Sequence, residues 1–129
     1  MKKNYTDNCA EDFEDYARLL QNQDLRWIGV DFDNVIARSI WPKSGIGEPM
    51  PGVKKSIKAL IKKGYKIVVW TARPWSDYEN VERWCKDNGI EVRRIICGKP
   101  LVRWLIDDRN IEFNPKKADA WEKALKKIK

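Results

Sequence analysis

The chain has 129 residues, 35% of them charged, and its 26 Lys and Arg against 19 Asp and Glu give a net charge of +7. That length suits one domain with a real core and leaves no room for a second. It contains no histidine, which excludes Ser-His-Asp and Cys-His catalysis and most zinc hydrolase sites. No apolar stretch approaches the roughly 20 residues of a membrane span, and the N-terminus lacks the apolar region of a signal peptide, so no membrane partner is expected. Cys9, Cys85 and Cys97 form neither a metal-ligand spacing nor an even disulfide set, and a reducing, cytoplasmic compartment is the expectation.

In chain order, Phe13, Tyr16, Ala17 and Leu20 predict an amphipathic helix over residues 10–21, within an N-terminal extension of residues 1–25. The core is expected over 26–129. Its first element is the apolar run Trp27-Ile28-Gly29-Val30, read as a buried parallel strand that ends at Asp31-Phe32-Asp33. Residues 37–51, with Pro42, Gly45, Gly47, Pro49 and Pro51, read as a loop that overhangs whatever lies at that strand end. Pro51-Gly52 then opens a helix with the stripe Val53, Ile57, Leu60 and Ile61, closed by Gly64. Tyr65 to Trp70 is a second strand. Ser76-Asp77-Tyr78-Glu79 has capping-box spacing and predicts a helix ended by Gly89, with Tyr78, Val81 and Cys85 inward. A short strand over Val92–Cys97 follows, then a further β-branched and aromatic run, Val102–Ile106, also read as a strand. Trp121, Leu125 and Ile128 have helical spacing. The alternation predicts an α/β fold: a central parallel sheet with helices on both faces, a Rossmann-like three-layer α/β/α sandwich.

Polar groups recur where these strands end. Asp31 and Asp33 follow the first, Thr71-Ala72-Arg73 the second, and Asp107-Asp108-Arg109 the run at Val102–Ile106, while Lys99 lies in a loop between Gly98 and Pro100. In open α/β sheets ligands collect beyond the carboxyl ends of strands. Taken singly, each group has a plain alternative: a turn or cap carboxylate, a capping threonine, a solvated lysine. Taken together, their order resembles the haloacid dehalogenase-like superfamily of phosphohydrolases. Asp31-Phe32-Asp33-Asn34-Val35 is similar to its first motif, Thr71 to its second, Lys99 to its third and Ile106-Asp107-Asp108 to its fourth. Asn34-Val35 departs from the Gly-Thr common there; Asn tolerates the backbone angles of such a turn nearly as well as Gly.

The resemblance implies a Mg²⁺-dependent phosphatase. Asp31 would be the nucleophile, forming an aspartyl-phosphate, and a metal ligand; Asp33 would be the acid and base, its backbone carbonyl also binding the metal. Thr71 would hydrogen-bond a phosphoryl oxygen and Lys99 would offset charge. Asp107 and Asp108 would complete the metal site, with Asp108 favoured as the direct ligand. Ala72, Arg73 and Arg109 are placed to touch substrate, although either arginine has a salt-bridge partner as its alternative. Neither inter-motif gap holds a cap domain, so an open, capless site is expected. A phosphorylated small molecule is the leading substrate. Residues 1–25 carry 3 basic and 6 acidic groups, which leaves a net +10 on the rest, and a nucleic-acid end is the second substrate, as for a 3′-phosphatase. A non-catalytic binding domain that keeps the fold is the third reading.

Overall fold

The computed structural model describes residues 26–129; the helix expected over 10–21 and the extension over 1–25 lie outside the described residues. The elements are β1 (Trp27–Val30), α1 (Val53–Lys62), β2 (Lys66–Trp70), a 3₁₀ turn (Trp75–Asp77) running into α2 (Tyr78–Asp87), β3 (Arg94–Ile96) and α3 (Ala120–Lys127). The strands form a parallel sheet in the order β1-β2-β3, with Val30 paired to Val69 and Trp70 to Ile96. The fold is therefore α/β, built on a three-stranded parallel sheet.

Side chains alternate across a strand, so paired residues share a face. Ile28, Val30, Ile67, Val69 and Ile95 form one face, and all belong to or pack against one apolar cluster with Val53, Ile57 and Leu60 of α1 and Val81 and Cys85 of α2. Both connections place their helices on that side, as crossovers of one hand running in the same direction do. On the opposite face Val68 is buried, Gly29 is exposed, and Trp70 is 39% exposed. A Cβ added at Gly29 would meet nothing within 4 Å.

Helix α1 starts where Gly52 takes φ +77° as its N-cap, and the chain leaves it through Gly64 at φ +93°. Both angles belong to the left-handed region that glycine enters freely. Helix α3 packs against α1, its buried Trp121 donating from Nε1 to the Val35 carbonyl at 2.7 Å and meeting Phe113 edge to face.

Two local expectations are corrected. Ser76 and Glu79 form no capping box, because α2 is entered through a 3₁₀ turn and has no side-chain cap hydrogen bond; Asp77, at its N-cap, instead accepts from Arg73 and Asn80. Val102–Ile106 is not a strand. It runs irregular and exposed, with Leu101, Val102, Trp104, Leu105 and Ile106 between 50% and 99% exposed. The sequence pattern measures fitness for a sheet and not the presence of a partner strand.

Candidate functional site at the carboxyl edge of the sheet

Parallel register brings three chain segments to one edge. Pairing of Val30 with Val69 sets Asp31 beside Trp70. Thr71 then continues the ladder with its N–H donating to the Ile96 carbonyl at 2.9 Å, and its own carbonyl accepts from the Lys99 N–H at 2.9 Å. Asp31, Thr71 and Lys99 thus leave three adjacent chain ends on the same side.

The turn after β1 is held tightly. The N–H groups of Val35, Ile36 and Ala37 all donate to the Phe32 carbonyl, and Asn34 takes φ +64° with its N–H donating to Ala37. The Asn34 Oδ1 accepts from the Ser39 N–H at 3.0 Å. Asn thus does here what glycine would do, and adds a bond that glycine cannot. Phe32 is fully buried, so the carboxylates on either side of it are anchored by packing.

Asp31 is half-buried and accepts from the Phe32 N–H at 2.8 Å. Burial pushes its carboxyl above the ordinary range and nearby Asp33 adds to this, while the Lys99 ammonium and the Phe32 N–H pull it back. Lys99 also lies over the Trp70 ring, 4.9 Å from its centre. Thr71 is buried, and its Oγ1 accepts from the Arg73 N–H at 3.1 Å.

Arg73 has the salt-bridge partner that stood as the alternative to a substrate contact. Its Nε and Nη2 donate to the two Asp33 oxygens at 2.9 and 2.8 Å. Nη1 donates to Asp77 at 2.6 Å and Nη2 to the Gly45 carbonyl at 3.0 Å. Four of the five N–H donors of a guanidinium are therefore engaged within the protein. Asp77 sits below the usual carboxylate range, because Asn80 and then Arg73 hydrogen-bond its charged form. Ala72 is exposed at the same edge.

The loop over 37–50 folds as a narrow hairpin. Arg38 donates to Glu48 at 2.8 Å, Gly47 to Arg38 at 3.1 Å and Met50 to Ile36 at 2.9 Å. It is tied to the site by Arg73 at Gly45 and by Trp84, whose Nε1 donates to the Gly47 carbonyl at 3.0 Å. Trp41 at its tip is 86% exposed. Sequence reasoning missed Asp77, Trp84 and Phe32 as supports of the site; the Arg73 to Asp77 spacing of four residues was the available signal for one of them.

The four expected metal ligands are not brought together. Asp31 and Asp33 put oxygen donors of the kind a hard cation takes at one edge, whereas Asp107 and Asp108 lie on the exposed segment beyond Ile106, Asp107 accepting from the Arg109 N–H at 2.8 Å. Arg109 lies 3.9 Å from Asp108. Among the described residues no three His, Cys, Asp or Glu side chains converge as a metal site. The physical reason is the missing strand: without Val102–Ile106 in the sheet, nothing carries the second carboxylate pair to the edge. The residues at that edge fit half of a Mg²⁺ donor set.

No family model matches the chain, and no curated protein does. Among solved structures, the chain is similar to a target protein from Vibrio cholerae at 20% identity and TM-score 0.57, covering 80% of this chain and 98% of that one. It is also similar to a conserved protein from Bacteroides thetaiotaomicron at 27% identity and TM-score 0.49, covering 66% of this chain and 77% of that one. The Vibrio cholerae likeness supports the α/β fold. No helix among the described residues is long and apolar enough to cross a membrane.

Proposed function

We propose that the protein is a capless phosphatase of the haloacid dehalogenase-like type, hydrolysing a phosphate monoester through an aspartyl-phosphate on Asp31. The observation that carries this reading is the convergence of Asp31, Asp33, Thr71 and Lys99 at one edge of a parallel sheet. In the first half-reaction an Asp31 oxygen bonds to phosphorus, the bond to the leaving oxygen breaks, and Asp33 gives that oxygen its proton. In the second, water attacks the same phosphorus, Asp33 takes the water proton, and the Asp31–phosphorus bond breaks. The Thr71 hydroxyl and Lys99 ammonium bind phosphoryl oxygens and balance their charge.

Mg²⁺ belongs to this proposal. Asp31, the Asp33 backbone carbonyl and one of Asp107 or Asp108 would hold it, and when bound it neutralises the anionic nucleophile and phosphate. That set requires Val102–Ile106 to leave its exposed course. Among the described residues β1 is an edge strand, and burying large apolar side chains, each worth about 1.5–3 kcal/mol, favours pairing of that run with it. The Rossmann-like three-layer arrangement and a cytoplasmic location are parts of the same reading.

Exposed Lys54, Lys55, Lys58, Lys62 and Lys63 on and beside α1 favour one alternative, a nucleic-acid 3′-phosphatase. The test is Mg²⁺-dependent phosphate release from a metabolite panel beside 3′- and 5′-phosphorylated oligonucleotides. Release from one metabolite class supports the leading reading, and preference for oligonucleotide ends with steep salt dependence supports the second. Absence of release from every substrate, with the metal bound, leaves a binding domain.

A further inference from the structure

The two Asp33 oxygens both accept from one guanidinium. The forked pair fixes both the position and the plane of that carboxylate. Resting on the phosphatase reading, we propose that Arg73 is a positioning residue: it holds the Asp33 carboxylate in place for proton transfer and latches the 37–50 hairpin to it.

Three features support the assignment. The pair is bidentate and partly sheltered, with side-chain exposures of 17% for Arg73 and 33% for Asp33, so it is less screened than a surface ion pair. The guanidinium is itself fixed, by Asp77 at the start of α2, by the Gly45 carbonyl and by the Phe32 ring 5.5 Å away. The Arg73 backbone N–H donates to Thr71 Oγ1, which ties the base of the same residue to the threonine of the proposed phosphate site. A residue with four of its donors committed to the protein is poorly placed to bind phosphate, and well placed to aim a carboxylate.

The experiment is pre-steady-state kinetics of Arg73→Ala and Arg73→Lys with an activated aryl phosphate and an alkyl phosphate. With Asp33 misplaced, proton transfer slows in both half-reactions, and kcat falls on the order of 100-fold for both substrates. The aryl alcohol appears in a burst approaching one per site, and the phosphoryl-enzyme becomes visible by intact mass. Lysine, which cannot make the forked pair, does not restore kcat, whereas added methylguanidine does so in Arg73→Ala. Unchanged kcat with both substrates overturns the proposal. A raised KM with unchanged kcat overturns it in favour of phosphate binding.

Hydrogen exchange over residues 38–50, expected to quicken in Arg73→Ala, reports separately on the latch. Unchanged exchange there overturns the latch whether or not a substrate is known. If Asp31→Asn keeps its turnover, the phosphatase reading fails, a result distinct from any outcome at Arg73.

Discussion

Phe32 and Trp84 meet edge to face, their ring centres 5.4 Å apart and their planes at 86°. This one contact joins the residue between the two motif carboxylates to α2, while the same indole holds the hairpin at Gly47. Phe32 is fully buried, and its truncation leaves a cavity under both Asp31 and Asp33. Phe32→Ala is expected to cost about 3–5 kcal/mol of unfolding free energy in denaturant titration, and to lower phosphatase turnover even where the variant remains folded.

Asp31 carries a stability cost at neutral pH. Its folded carboxyl lies above the ordinary value, chiefly through burial. Its contribution to stability is complete below the unfolded value, near 4, and is lost as pH rises through the raised folded value. At neutral pH the ionised side chain therefore opposes folding. Asp31→Asn should raise Tm at pH 7, with the difference gone near pH 3, while abolishing turnover.

Asp77 has the opposite sign. Asn80 and Arg73 depress its carboxyl, so its contribution is present above the unfolded value and lost as pH falls through the folded one. Asp77→Asn should lower Tm at pH 7 and approach the parent in acid, as measured by thermal melts across pH.

The hairpin leaves no room at Gly47, where a Cβ would sit 2.3 Å from the Arg38 carbonyl oxygen and 3.0 Å from Ile40. Backbone, unlike a flexible side chain, cannot yield cheaply. Gly47→Ala is expected to cost about 1–3 kcal/mol and to quicken exchange of the Arg38 and Met50 amides.

The Val102–Ile106 run offers a separate test of the metal proposal. Mg²⁺ at millimolar concentration should slow amide exchange over residues 102–107 as the run pairs with β1. Turnover with Mg²⁺ and unchanged exchange would show that the ion is held without that pairing.

The strands and helices that the chain spells in local pattern were legible. The Val-Ile-rich run of β2, the stripe of α1 and the glycines at 52 and 64 act within a few residues, and the turn at Asn34 was expected from the resemblance, since Asn tolerates its backbone angles nearly as well as Gly. What escaped was long-range. Nothing near Arg73 indicates that its guanidinium reaches back 40 residues to Asp33. Ser76 and Glu79 have capping spacing, but the 3₁₀ entry redirects Asp77 to Arg73. The pattern of Val102–Ile106 states that the run suits a sheet, and pairing with β1 depends on contacts that spacing does not encode. The order of Asp31, Thr71 and Lys99 was readable because a parallel sheet delivers every strand end to one edge.

The most direct measurement is acid-quenched trapping of the phosphoryl-enzyme with Mg²⁺ and an aryl phosphate, followed by peptide mapping. The proposed mechanism places an acyl phosphate on the peptide containing Asp31, absent in Asp31→Asn. Label on another residue, or undiminished turnover in Asp31→Asn, would contradict it.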